Sequence, residues 1–173
     1  HGMTKKLTAS FGTLFNNIYI ERGSGNTYKK IKIPLTYAPK EKMMERIGLE
    51  LDDPAAYAVQ TTLPRMSFEM TSIQYDASRK SGITQTFKAV DANNNMKKVF
   101  MPVPYNIGFE LSILCKLNDD ALQIVEQILP YFQPAFNITV DLVESIGEKR
   151  DIPVVLNSVA FQDDYEAAVE VDK

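Results

Sequence analysis

The switch from a strand pattern to a helix pattern near residue 117 constrains the fold of this chain most. Apolar and polar side chains alternate along residues 104–117, which is typical of a half-buried strand. The apolar face predicted for this strand carries Ile107, Phe109, Leu111, Ile113 and Cys115. A helix pattern then begins at Asn118 and ends at Pro130, because proline interrupts helical hydrogen bonding. We therefore expect a sheet with helices packed on it.

The remaining patterns are short and follow one another closely. In chain order we predict a helix at 7–17, a hairpin at 17–37, a helix at 38–51 capped at Gly48, and strands at 63–76, 137–144 and 151–161. Ile73 and Tyr75 break the alternation of the 63–76 strand, which predicts a β-bulge near Ser72. Because few crossover helices separate the strands, we expect an α+β fold with an antiparallel or mixed sheet.

The length of 173 residues and the absence of a linker or repeat predict a single domain over residues 1–173. Residues 1–3, "HGM", are interpreted as a tag remnant. Residues 78–98 are weakly patterned and predict a long loop or a hairpin. Residues 162–173 are acidic and are expected to form a loosely held tail.

Composition argues against several classes of function. A net charge of −3 gives no general attraction to nucleic acid or to an anionic membrane, and no apolar run approaches the ~20 residues that span a bilayer. The only histidine, His1, falls in the interpreted tag, so the commonest general base and metal ligand is missing. We therefore expect no enzymatic activity, no nucleic acid and no membrane.

Two kinds of side chain nevertheless deserve consideration as reactive groups. Cys115 lacks a histidine to activate it, so we interpret it as a buried structural thiol. Glu69, Glu110 and Asp141 each lie in a predicted strand and could converge as an acid–base or metal cluster. The alternative is that they pair with lysines on an exposed sheet face, which we favour because no other residue completes a site.

The predicted helix after residue 117 has a simple structural interpretation. Asn118 is expected to cap it, and the two acids that follow are placed favourably at the positive end of the helix dipole. Leu122, Val125 and Leu129 form one stripe, which we predict faces the sheet.

Two clusters of basic residues are predicted to project from the fold as contact surfaces. Lys29, Lys30 and Lys32 lie on the predicted hairpin, and Lys149 with Arg150 lies in a predicted turn. Three lysines in an acidic protein are weak evidence for nucleic acid. We interpret the lysine cluster as a solvated strand face or as a rim that contacts an acidic partner, and we expect Lys149 and Arg150 to form a charged rim as well.

Four segments of the chain resemble a known family when they are taken together. The segments are "IKIPLTYAPKEKMMERI", "LPRMSFEMTSIQYDA", "YNIGFELSILCKLNDDALQIVEQILPYFQPAFNITV" and "KRDIPVVLNSVAF". They resemble the tail sheath stabiliser and completion proteins, or tail terminators, of T-even-like contractile-tailed bacteriophages, in the variant of cyanophage relatives.

The resemblance implies a structural role without catalysis or a cofactor. Members of that family cap the tail as a six-membered ring, which contacts the tail sheath protein, the tail tube terminator and the head–neck proteins. The implied location is the head–tail junction of the virion, after assembly in the bacterial cytoplasm. Family members extend further at both ends, so we expect this shorter chain to form monomers or smaller species.

Other functions remain open from the sequence. One alternative is another tail component, such as the tube terminator or a baseplate part. A small phage enzyme that uses the three carboxylates is a second, and a binding module for a host protein is a third.

Overall fold

A computed structural model describes residues 2–23, 29–52, 63–80, 82, 86–90, 96–100, 103–143 and 148–162. Its helices are α1 (Met3–Leu14), α2 (Lys40–Asp52) and α3 (Asn118–Ile128). Its strands are β1 (Tyr19–Arg22), β2 (Lys29–Lys32), β3 (Leu35–Tyr37), β4 (Arg65–Tyr75), β5 (Thr86–Val90), β6 (Met96–Phe100), β7 (Tyr105–Leu114), β8 (Ala135–Val143) and β9 (Glu148–Val155). Short 3₁₀ turns follow β4 at Ala77–Arg79 and α3 at Leu129–Tyr131.

The central element is a mixed sheet in the order β3-β4-β7. Strand β3 runs parallel to β4, whereas β7 runs antiparallel to it. Antiparallel pairs β1–β2, β5–β6 and β8–β9 form separate two-stranded ladders in the described residues. Helices with small mixed and antiparallel sheets confirm the predicted α+β class.

Helix α1 packs against one face of the central sheet. Phe11 stacks on Phe109 with ring centroids 4.4 Å apart, and its ring lies 5.5 Å from that of Phe68. Gly12 allows this approach, since a Cβ there would lie 2.8 Å from Cζ of Phe68. The buried core consists of Phe11, Phe15, Ile18, Ile20, Ile33, Met66, Phe68, Ile124 and Ile128.

The β-bulge predicted near Ser72 is confirmed. The register of β4 against β7 shifts between Met70 and Ser72. Before the bulge Met70 lies opposite Phe109, and beyond it Ile73 lies opposite Ile107. Directly opposed residues share a face of the sheet, and Phe109 and Ile107 lie on the same face of β7. The extra residue at the bulge therefore keeps Ile73 on the face that Met70 occupies.

Several predicted boundaries are wrong. Helix α1 begins at Met3 rather than residue 7, and α2 continues through Gly48 to Asp52, so Gly48 does not cap it. The return strand of the first hairpin breaks at Pro34, where proline predicts an edge or a bend, but Leu35–Tyr37 pairs with β4 rather than continuing the hairpin. The backbone N–H that proline lacks explains the break, whereas the parallel pairing has no local sequence signal.

The last strand also differs from its prediction. Strand β9 begins at Glu148 and ends at Val155, so Lys149 and Arg150 lie in a strand rather than a turn. Residues 156–162 have no regular structure. His1 and residues 163–173 lie outside the described part of the chain.

The predicted orientation and cap of α3 are wrong. Leu117 occupies the cap position, and Asn118 is already helical. Leu122 and Leu129 are exposed, and the buried residues of α3 are Asp120, Ile124 and Ile128. The prediction failed because α3 carries two apolar stripes at helical spacing, and the packed one is that of Ile124 and Ile128, which Asp120 continues.

Candidate assembly surfaces

The three candidate carboxylates do not come together as one site. Glu69 and Glu110 lie directly opposite each other on β4 and β7. Asp141 lies on β8, in a different ladder, opposite Lys149. Within the described residues, no group of three or more His, Cys, Asp or Glu side chains is placed to hold a metal ion.

Cys115 follows β7 directly and is half-buried rather than fully buried. The strand pattern placed it on the apolar face, but β7 ends at Leu114. The position of Cys115 at the end of a core strand is compatible with the structural interpretation.

The basic clusters lie on separate ladders. Lys29, Lys30 and Lys32 are exposed along β2, where Nζ of Lys30 lies 4.9 Å from the centre of the Tyr19 ring. On β9, Lys149 is exposed and Arg150 is half-buried. The role of these five residues in an interface stays a prediction.

Helix α3 covers the edge of β1 that faces away from β2. Oε1 of Gln127 accepts from the N–H of Tyr19 at 3.2 Å, and its Nε2 donates to the Tyr19 carbonyl at 2.6 Å. Oε1 of Gln123 accepts from the N–H of Glu21 at 3.0 Å, and its Nε2 approaches the Glu21 carbonyl at 3.5 Å. These contacts satisfy backbone groups that a partner strand would otherwise bind.

An ion pair lies at the end of the contact between α3 and β1. The guanidinium of Arg22 donates to the carboxylate of Asp120, which is 2% exposed. The Asp120 hydrogen bond is the main cause that raises the pKa of Arg22 above its ordinary value. The sequence suggested only a helix-dipole role for Asp120, because its partner lies 98 residues away in the chain.

The exposed apolar side chains of the described residues include two groups at the ends of strands. One lies at the far end of the β4–β7 ladder, where the rings of Tyr75 and Tyr105 meet edge to face with centroids 5.7 Å apart. The other lies in and after the end of β9, where Val159 and Phe161 are exposed. The break in alternation at Ile73 was the available sequence signal for the first surface.

Comparison with known proteins bears on the functions that the sequence left open. The sequence model of the T4-like virus Myoviridae tail sheath stabiliser family matches residues 1–172. The chain belongs to this family. Over 167 residues it is 35% identical to the tail completion protein gp15 of Enterobacteria phage T4. That similarity covers 92% of this chain and 60% of the length of the T4 protein.

Family membership confirms the resemblance seen in the four sequence segments. The chain is a structural protein of a phage tail, located in the virion. In the part of the chain that the structure describes, no helix is both long and apolar enough to cross a bilayer.

Proposed function

We propose that this protein caps the contractile tail at its head-proximal end, stabilises the sheath there and forms the platform for head and neck attachment. The observation that carries the proposal is the family match across residues 1–172. The T4 relative is a tail completion protein, which supports a role at the end of tail assembly.

The proposed mechanism is assembly through complementary surfaces rather than catalysis. Six copies form a ring, and each copy presents two different faces to its neighbours. The ring binds the tail sheath protein, the tail tube terminator and the head–neck proteins. No enzymatic activity, cofactor, nucleic acid or membrane has a part in this function. The similarity of this chain to the cyanophage variant of the family stays a prediction.

The basic residues supply the polar rim of these contacts in this proposal. Lys29, Lys30 and Lys32 project from one strand of a two-stranded ladder, where they are available to acidic side chains of a neighbouring protein. Lys149 and Arg150 form the second part of the rim. Rim charges act mainly on association rate and salt dependence, so their loss should slow assembly more than it accelerates dissociation.

Electron microscopy of tails that carry a gold-labelled copy of the protein tests the position. We expect the label at the head-proximal end, with an extended sheath, and loss of sheath subunits from that end when the protein is left out. Label at the baseplate would replace this proposal with a baseplate role. Label on naked tubes without any effect on the sheath would favour a tube terminator.

Charge reversal at the basic rim tests the mechanism. Lys29→Glu combined with Lys32→Glu should slow binding to tails and weaken its dependence on salt concentration. Glu45→Lys changes the charge of an exposed residue on α2, away from these lysines, and is the control. Equal binding rates for the lysine variant and the unmodified protein would remove these residues from the interface.

A further inference from the structure

Among the described residues, β4 carries two buried side-chain atoms that have no hydrogen-bond partner, which are Nε of Arg65 and Oγ of Ser67. Ser67 is 1% exposed, and Arg65 as a whole is half-buried. A buried polar atom without a partner is unfavourable, so most such atoms in folded proteins bind another protein group, a water molecule or a ligand. Because these two atoms belong to neighbouring positions, one bound group could satisfy both.

Arg65 and Ser67 lie on the same face of the central sheet, about 6.6 Å apart along β4. Met66, which lies between them in the strand, belongs to the buried core on the other face. In the register of the sheet, Thr36 on β3 and Ser112 on β7 lie directly beside Ser67. A row of hydroxyl-bearing residues therefore crosses the polar face next to Arg65.

We propose that Arg65 and Ser67 form a binding site for a carboxylate group. A guanidinium and a serine hydroxyl both donate hydrogen bonds, and the guanidinium adds a positive charge. The planar fork of an arginine binds the two oxygens of a carboxylate side by side, and the serine hydroxyl donates to the same group. This inference concerns the single chain and does not depend on the ring of the proposed function.

The exposed part of Arg65 gives the carboxylate its entry. Because Nε of Arg65 and Oγ of Ser67 are both buried, binding has to turn the Arg65 side chain toward solvent. The long stem of an arginine has several rotatable bonds, so this movement needs no change in the strand. The bound carboxylate then satisfies two donors that otherwise lack a partner, and this gain favours the bound state.

The charges around the site favour a carboxylate over a phosphate. Glu69 and Glu110 lie opposite each other as the next pair on the same face beyond Ser67. The single positive charge of Arg65 balances one carboxylate, whereas a phosphate group carries about 1.5 to 2 negative charges at neutral pH. The two glutamates would repel that surplus charge. A carboxylate can reach the site from two sources, which are a free anion and an acidic side chain of a neighbouring copy.

Thermal denaturation in sodium salts of equal ionic strength tests the site, with acetate as the carboxylate probe. A ligand that binds only the folded chain raises its Tm, so we expect a Tm about 3 °C higher in about 200 mM acetate than in chloride. Arg65→Met should abolish this rise, and the part that it abolishes excludes general salt effects. Arg46→Met removes an exposed arginine from α2 and should retain the rise. Phosphate should give a smaller rise at this site than acetate.

Ser67→Ala separates binding from folding. Because it removes a buried hydroxyl without a partner, the Tm in chloride should stay unchanged or rise. The acetate-dependent rise should fall by about half or more, since the bound carboxylate loses a donor. A serine with a purely structural role would instead lower the Tm in chloride and leave the acetate effect unaltered. In NMR spectra, the Nε–H signal that is missing from Arg65→Met should move when acetate is added to the unmodified chain.

Sedimentation velocity distinguishes the two sources of the carboxylate. If a neighbouring copy supplies it, the unmodified chain should self-associate in chloride, and either acetate or Arg65→Met should reduce that association. If the source is a free anion, Arg65→Met should associate as the unmodified chain does, and only the acetate-dependent rise in Tm should depend on Arg65. The inference is overturned if Arg65→Met matches Arg46→Met both in the acetate effect and in association. A larger site-dependent rise with phosphate than with acetate would overturn the choice of a carboxylate.

Discussion

Gln127 of α3 binds both the backbone N–H and the carbonyl of Tyr19 on β1, at 3.2 and 2.6 Å. Gln123 is similarly placed against Glu21. Four residues of a helix rise about 6 Å and two residues of a strand rise about 6.6 Å, so the two spacings nearly match. The helix can therefore occupy the edge of β1 as a neighbouring strand would, which protects that edge from pairing with another chain.

Replacement of Gln127 by alanine should lower stability by about 1–3 kcal/mol, because two part-buried backbone groups of Tyr19 lose their partner. Chemical denaturation measures this cost. Glu126→Ala changes an exposed neighbour on the same helix and should shift stability by less than about 0.5 kcal/mol. Equal midpoints for the two variants would mean that water replaces the glutamine without loss.

The ion pair between Arg22 and Asp120 should respond unequally to loss of either partner. Asp120 is 2% exposed, whereas the side chain of Arg22 is 44% exposed. Arg22→Met leaves a buried carboxylate without its cation, but Asp120→Asn leaves a guanidinium that can reach water. We expect the lower denaturation midpoint for Arg22→Met. The opposite order would show that Asp120 finds another partner or water.

The sequence predicted local features better than contacts between distant elements. The break in alternation at Ile73 located the bulge because it depends on side-chain parity within one strand. The parallel pairing of Leu35–Tyr37 with β4 depends on residues about thirty positions apart, and no local pattern encodes it. The glutamine contacts were missed for a related reason, since a polar side chain on a helix normally indicates a solvent-facing position.

A pair of variants can test which face of α3 packs against the core. Ile124 is 0% exposed and Leu122 is 51% exposed. Ile124→Ala should destabilise the protein by about 2–5 kcal/mol, because it leaves a cavity in the core. Leu122→Ala should change stability by less than about 0.5 kcal/mol. Thermal and chemical denaturation of both variants provide the comparison, and a larger loss for Leu122→Ala would restore the stripe predicted from sequence.

A polar cluster just after the end of β4 should make stability depend on pH. The Ser78 hydroxyl, followed by the Arg79 guanidinium, holds the pKa of Asp76 well below its usual range. Because the folded-state pKa is lower than the unfolded value of about 3.9, ionised Asp76 stabilises the fold above about pH 4. This contribution is lost as the pH falls from there through the folded-state pKa.

Denaturation midpoints measured from pH 7 to pH 2 test that assignment. Asp76→Asn should be less stable than the unmodified chain at pH 7, and the difference should shrink below about pH 4. Glu126→Gln removes an exposed carboxylate elsewhere and is the control. A difference between Asp76→Asn and the unmodified chain that is constant over the whole range would show that ionisation of Asp76 does not contribute.

The close packing of α1 on the sheet predicts that Gly12→Ala destabilises the protein. Alanine inside a helix normally stabilises it by about 1 kcal/mol relative to glycine. At residue 12, however, the added Cβ would lie 2.8 Å from Cζ of Phe68, a buried ring that is 7% exposed. Overpacking of this kind costs about 1–3 kcal/mol, so we expect a net loss.

A double-mutant cycle with Phe68→Leu isolates that clash. Leucine lacks the outer ring atoms nearest residue 12, so Gly12→Ala should be less harmful, or even stabilising, in the Phe68→Leu background. Ser10→Ala on the same helix is the control and should behave alike in both backgrounds. If Gly12→Ala has the same effect with Phe68 as with leucine, the contact between α1 and β4 is looser than the structure indicates. If the two effects differ by about 1 kcal/mol or more, the clash with Phe68 sets the cost of a side chain at residue 12.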